Sequence, residues 1–204
     1  MKKIVFVLAV FAFVATSCKN DKKQVEKPVT KTTKTKVVHK DEVTWKGYKP
    51  TGSHYGTISI KNTNLKIADN VLSGSAIIDM ASIINNDLKD PKYNGDLVGH
   101  LKGKDFFEVE KYPTAKFEVT KSSSDKLNVH DVEGNITIKG VTKKIKFQGK
   151  TAVNENGDTV LRGNFKIDRT DFGIKYKSTK FFDNLKDKFI NDKFDLGVKI
   201  KLAK

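Results

Sequence analysis

Five apolar residues at every second position near the C-terminus constrain this chain more than any other feature. Phe194, Leu196, Val198, Ile200 and Leu202 alternate with Asp195, Gly197, Lys199 and Lys201. A period of two puts one side of an extended strand in an apolar interior and the other in water. The same texture runs back through the chain. Ala115, Phe117 and Val119 alternate with Lys116, Glu118 and Thr120. Ile136 and Ile138 lead into Lys139-Gly140 and then Ile145 and Phe147, the pattern of a hairpin. Asn154-Glu155-Asn156-Gly157 has turn chemistry, and Val160 to Asp168 follows with Phe165 and Ile167 on one face. Upstream, Val43–Tyr48, Thr57–Ile67 and Val71–Met80 read as further strands. One stretch departs from alternation. Leu97, Val98 and Leu101 have the spacing of a helical face, with Asp96 placed to support its start and Gly103 to end it.

About eight antiparallel strands, each with one apolar face, must pair as two sheets or close on themselves, and closure removes exposed edges. The expected fold is therefore mainly all-β: an eight-stranded antiparallel β-barrel with one short helix inserted. A barrel of about that size is either filled by its own side chains or holds one small ligand. The alternation fits both, so a packed core and a binding cavity stay open at this point.

The first 41 residues have another character. Met1-Lys2-Lys3 precedes Ile4–Ala15, a run of twelve apolar residues. As a helix that run spans about 18 Å, too short for a hydrocarbon core of roughly 30 Å, and it reads as a signal-peptide core. It ends in Ala15-Thr16-Ser17-Cys18, and Cys18 is the only cysteine, so no intramolecular disulfide can form. Residues 1–17 are accordingly expected to be a signal peptide. Residues 18–41, with eight Lys from Lys19 to Lys40 against Asp21 and Glu26, are expected to be a disordered basic tether, and 42–204 the folded domain.

The formal net charge of +15 raises nucleic-acid binding as a rival function. The Lys residues of the strands alternate as on a solvated outer face, whereas most aromatics fall on the opposite face, which argues against a single-strand-binding groove. His39, His54, His100 and His130 lack the spacing of a metal site, and no metal or cofactor is expected. Asp168, Arg169 and Asp171 read as an ion-pair cluster holding a loop rather than as an acid/base set. No motif supports an enzyme.

Several motifs in order carry a resemblance: Gly52-Ser53-His54-Tyr55-Gly56-Thr57, then Leu97 to Phe107 (LVGHLKGKDFF), Lys111-Tyr112-Pro113-Thr114-Ala115-Lys116-Phe117, Gly134 to Lys143 (GNITIKGVTK) and Asp168-Arg169-Thr170-Asp171-Phe172-Gly173. Over 42–204 the chain resembles the YceI-like family. The resemblance implies a lipocalin-like barrel with a helix, export from the cell, and binding of a polyisoprenoid or other long amphiphile inside the barrel. It thereby favours the cavity over the packed core. The expected lining is Phe117, Val119, Ile136, Ile138, Ile145, Phe147, Phe165, Ile167, Phe194, Leu196, Val198 and Ile200. The small residues before Cys18 resemble a lipobox, which implies lipidation at Cys18 and a membrane anchor, with outer-membrane sorting suggested by Lys19. Where many family members carry an Arg-Asp pair before the helix, this sequence reads Asn86-Asp87.

Overall fold

A computed structural model describes residues 40–203. The expected signal peptide, the expected lipidation site Cys18, nearly all of the expected tether and His39 lie outside the described residues. Eleven strands follow in order: β1 (Glu42–Lys49), β2 (Gly52–Thr63), β3 (Lys66–Ala68), β4 (Val71–Ser73), β5 (Ser75–Asp79), β6 (Ile84–Asn85), β7 (Thr114–Ser124), β8 (Val129–Ile138), β9 (Val141–Val153), β10 (Thr159–Asp168) and β11 (Lys193–Lys201). Among the described residues a single α-helix, α1 (Pro91–Lys102), separates β6 from β7.

Eight of these strands pair antiparallel in the order β1-β11-β10-β9-β8-β7-β5-β2, and β2 returns to β1 to close the barrel. Closure gives every barrel strand two partners and leaves no long free edge. Sequence neighbours pair across short turns whose residues explain them. Lys139 and Gly140 both take positive φ (50° and 77°), as a two-residue hairpin demands. The Asn154 side chain accepts from the amides of Asn156 and Asp158, both at 2.9 Å, closing the β9–β10 turn.

The two long upstream strands expected from the sequence are each divided. Thr57–Ile67 is cut because β2 ends at Thr63 and β3 begins at Lys66. Val71–Met80 is cut at Gly74, where φ is +106° and a Cβ would stand 2.6 Å from the Asn64 carbonyl oxygen. Only glycine allows that approach. The resulting β3–β4 hairpin lies outside the barrel sheet and docks through Ser122, whose Oγ bonds both the amide and the carbonyl of Leu72 (2.7 and 2.9 Å).

The helix starts earlier than Asp96. Asp90 is the N-cap, accepting from the amides of Lys92 and Tyr93 (2.8 and 3.2 Å), and Pro91 occupies the first turn. Asp96 instead sits inside the helix in an exposed pair with Lys92. Gly103 is the C-cap, as expected.

Buried side chains form two clusters along the barrel. One, toward the helix end, includes Ile83, Ile138 and Phe172. The other, toward the β7–β8 turn, includes Leu65, Leu72, Val132, Leu161 and Leu202. Ile60, Phe117 and Val198 pack against both.

Candidate functional site: two apolar chambers in the barrel

The interior between and above these clusters is not filled. A mouth chamber of about 130 Å³ lies at the helix end. Trp45 and Tyr48 of β1, Ile58 of β2 and Phe194 of β11 contribute from the strands. Leu97 and Leu101, one turn apart on α1, contribute from above with Phe106, Phe107, Ile83, Ile174 and Ile190. Aromatic edges tie the helix to the β10–β11 loop: the His100 ring stands edge-on to Phe106 (4.9 Å) and to Tyr176 (4.8 Å).

The rim of this chamber is polar and fixed. Arg169, 4% exposed, donates Nε to the Asn191 carbonyl (3.1 Å), Nη1 to Ile174 (3.0 Å) and Nη2 to Ile190 (2.9 Å). Its Nη2 also pairs with Asp192 at 3.4 Å. Burial lowers the Arg169 pKa, opposed by the carboxylates of Asp192 and Asp168, and the guanidinium remains charged. Asp168 caps the following turn through the Thr170 amide (2.9 Å) and pairs with Lys180 at 2.7 Å. Burial pushes its carboxyl up, but the bonds from Lys180 and Thr170 outweigh this and hold it below its ordinary value. Asp168 and Arg169 thus hold a loop, as expected, but their ion-pair partners are Lys180 and Asp192 rather than one another or Asp171. Across the mouth, His54 Nδ1 meets Asp87 Oδ2 at 2.8 Å, and Asp87 Oδ1 accepts from the Tyr55 amide at 2.9 Å and from the Asn85 side chain. Burial again opposes ionisation of Asp87, and these three donors together leave its carboxyl depressed. Asp87 therefore joins β2 to the segment leading into α1.

A deep chamber of about 80 Å³ lies below, walled mostly by the strands. Of the twelve expected lining residues, Phe117, Ile136, Ile138, Phe147, Phe165, Phe194, Leu196, Val198 and Ile200 stand on its wall. Val119, Ile145 and Ile167 do not. Val119 sits where the β7–β8 register shifts between Val119 and Lys121, and it packs on the lower cluster. Ile145 packs against the upper cluster, and Ile167, 5% exposed, is a member of it. Phe117, Phe147 and Phe165 form a shelf across the barrel, with ring centroids 5.7 and 4.7 Å apart in succession. Inward glycines seat the shelf: a Cβ on Gly134 would meet the Phe117 ring at 2.4 Å. Ile58, Phe107 and Phe194 line both chambers and form the partition between them.

The family match covers residues 22–202 under the description YceI-like domain. The chain belongs to the YceI-like family. A UPF0312 protein of Pseudomonas savastanoi pv. phaseolicola is 35% identical over 131 residues, 60% of this chain and 68% of that protein. A UPF0312 protein of Pseudomonas putida is 36% identical over 135 residues, 60% of this chain and 68% of its own length. BcnA of Burkholderia cenocepacia superposes with a TM-score of 0.62 at 21% identity, covering 80% of this chain and 96% of BcnA. A polyisoprenoid binding domain from Saccharophagus degradans, implicated in plant cell wall breakdown, gives 0.54 at 15% identity over 80% and 94%. At those identities the two structures speak for the shared barrel.

Strand periodicity missed two parts of the lining of this YceI-like barrel. Val43, Ile58, Ile60, Ala76 and Ile78 face the deep chamber from β1, β2 and β5, strands whose alternation was visible but whose inward residues were not assigned to the wall. The mouth residues Leu97, Leu101, Phe106, Ile174 and Ile190 come from a helix and loops, where no period marks an inward side. For Leu97 and Leu101 the helical spacing was an available signal.

Proposed function

We propose that this YceI-like barrel binds and carries a long apolar amphiphile, of the polyisoprenoid, isoprenoid-quinone or fatty-acid type, with its chain threaded through both chambers. The observation that supports this most is the pair of adjacent apolar chambers that share a wall of three side chains, Ile58, Phe107 and Phe194. A dry apolar cavity of about 150 Å³ accommodates a molecule the size of benzene. Chambers of about 130 and 80 Å³ therefore hold short pieces of a chain, and a long guest must swing Phe107 and Phe194 aside to join them. Burying about 400 Å² of guest at ~25 cal/mol/Å² gives roughly 10 kcal/mol gross, against which association and ordering costs of about 4–15 kcal/mol are set. Discrimination then rests on chain width and on the few polar groups at the mouth. The polyisoprenoid binding domain of Saccharophagus degradans, with the same fold, supports that class of guest.

The anchor belongs to the same proposal. Export and acylation at Cys18 would tether the barrel in the cell envelope beside the phase in which such molecules dissolve. Intact-mass measurement of envelope-extracted protein tests it: a start at Cys18 carrying acyl mass is expected, and an unmodified Cys18 removes the anchor.

Native mass spectrometry of freshly purified protein tests the carrier. We expect a reproducible apolar adduct, and its loss in Val198→Trp, which fills the deep chamber while the barrel stays folded. An adduct undiminished in folded Val198→Trp protein would place the guest elsewhere.

A further inference from the structure

We infer that the β10–β11 loop is a membrane-docking element, inserting Phe181 and Phe182 into the headgroup layer of an anionic phospholipid bilayer to bring the mouth chamber to the lipid. This rests on the carrier function proposed above and says where cargo exchange takes place.

Phe181 and Phe182 are adjacent and expose 47% and 48% of their surface. An isolated exposed ring needs no explanation, but a contiguous pair held outward does. They are held outward: both amides donate to the Ser178 carbonyl (3.1 and 3.0 Å), and Ser178 is fully buried. The base of the loop is clamped by Arg169, which bonds the carbonyls of Ile174, Ile190 and Asn191. The rings therefore stand on a fixed turn, and the free-energy cost of exposing them to water is a standing feature of the fold.

The charges around them fit an anionic surface. From Ile174 to Asp192 the sequence has five Lys against three Asp. Lys175 Nζ lies over the Phe181 ring at 4.7 Å, and Lys177 over Tyr176 at 5.3 Å. On the neighbouring helix, Tyr93 is 62% exposed with Lys92 at 5.4 Å from its ring. An aromatic ring with a lysine beside it suits the bilayer interface, where the ring enters the headgroup region and the ammonium reaches phosphate. Ile174 and Ile190, at the two ends of this loop, line the mouth chamber, as do Leu97 and Leu101 of the helix. Docking here would let an apolar chain pass between bilayer and barrel without crossing water.

The test uses the full-length chain with Cys18→Ser and one environment-sensitive fluorophore on a new cysteine, at Phe182→Cys or at Leu127→Cys. Leu127 is 71% exposed in the β7–β8 turn, at the opposite end of the barrel, so it controls for any attachment made by the N-terminal residues. With vesicles of phosphatidylglycerol and phosphatidylcholine containing brominated lipid, the probe at 182 should be quenched and the probe at 127 should not. Pure phosphatidylcholine should quench less. Lys175→Gln and Lys177→Gln should each weaken partition about fivefold, and Phe181→Ser should weaken it further. Equal, water-like signals at 182 and 127 would overturn the proposal, as would shielding of 182 that rises with protein concentration without vesicles, which would assign the patch to a second copy of the chain. Uptake of a fluorescent fatty acid in vesicle-free solution is measured in parallel. Uptake with a wet 182 probe removes docking and leaves the carrier, whereas insertion without uptake removes the carrier and leaves docking.

Discussion

The mouth chamber and the deep chamber are neighbours that share three side chains, yet they are built in different ways. The deep chamber is walled mainly by barrel strands, where each residue is fixed by ladder hydrogen bonds on both sides and by a glycine-seated aromatic shelf. The mouth is assembled from the barrel rim, a helix and two loops, held by side chains bonded to backbone: Arg169 donates to carbonyls on one side, and Asp87 accepts from the Tyr55 amide on the other. Interiors tied by continuous ladders resist deformation, whereas regions held by a few polar bonds open at lower free energy. Under the proposed carrier function, the contrast predicts a division of labour in which the deep chamber sets what fits and the mouth sets when it enters.

Removing one mouth fastener should separate the two regions most sharply. Arg169→Leu removes the donor to three carbonyls, that of Ile174 buried, and leaves Asp192 only its 3.6 Å pair with Lys180, and should cost about 3–5 kcal/mol in urea unfolding. Amide exchange should rise first in Ile174–Asn191, with β8 and β9 still protected; uniform loss of protection would dissolve the distinction. Next, Gly134→Ala acts only in the deep chamber. Its Cβ would meet the Phe117 ring at 2.4 Å and the Glu118 carbonyl oxygen at 2.6 Å, and the second of these is backbone. A cost of about 1–3 kcal/mol is expected, with loss of guest binding and an undisturbed loop. Smaller again, Asp90→Ala removes the cap of the helix over the mouth and should cost about 1 kcal/mol, read as faster guest exchange with little change in melting of the barrel.

The least effect is one of slope. His130, 2% exposed at the end remote from the mouth, has Nε2 3.0 Å from Thr151 Oγ1, and burial lowers its pKa below 6.5. The folded protein holds it neutral while the unfolded chain protonates near 6.5, so its contribution is complete above that pH and declines as pH falls below it. Asp87 has the opposite chemistry. Its carboxyl is held below 3.8, so its contribution persists above 3.8 and is lost only as pH falls further. Between pH 6.5 and 4 the deep end should therefore weaken while the Asp87 tie holds. Urea titrations across that range should show a stability loss in the native protein that is reduced in His130→Gln; an unchanged slope in the variant would remove the assignment.

The same division decides what could be read from the sequence. Phe194 to Leu202 and Ala115 to Val119 carry a two-residue period because a strand with one wet face must, so the barrel and most of the deep wall were legible. Val119 misled because it keeps the inward phase of Ala115 and Phe117 yet lies beyond the chamber, against the lower cluster, and a two-residue period does not mark how far along a strand a cavity extends. Asp96 misled because both it and Asp90 precede apolar helical positions, and Pro91 in the first turn selects Asp90. The mouth was hardest to read, since Ile174 and Ile190 are brought together by one guanidinium across a loop without periodicity.

Isotope-filtered NMR of the barrel loaded with one apolar guest addresses the two-chamber carrier most directly. A single guest should give contacts to Leu101 in the mouth and to Val198 and Ile136 in the deep wall, with Phe107 and Phe194 shifted. Contacts confined to Leu101, with Val198, Ile136 and both phenyl rings unmoved, would contradict the threaded chain and leave the deep chamber as ordinary core.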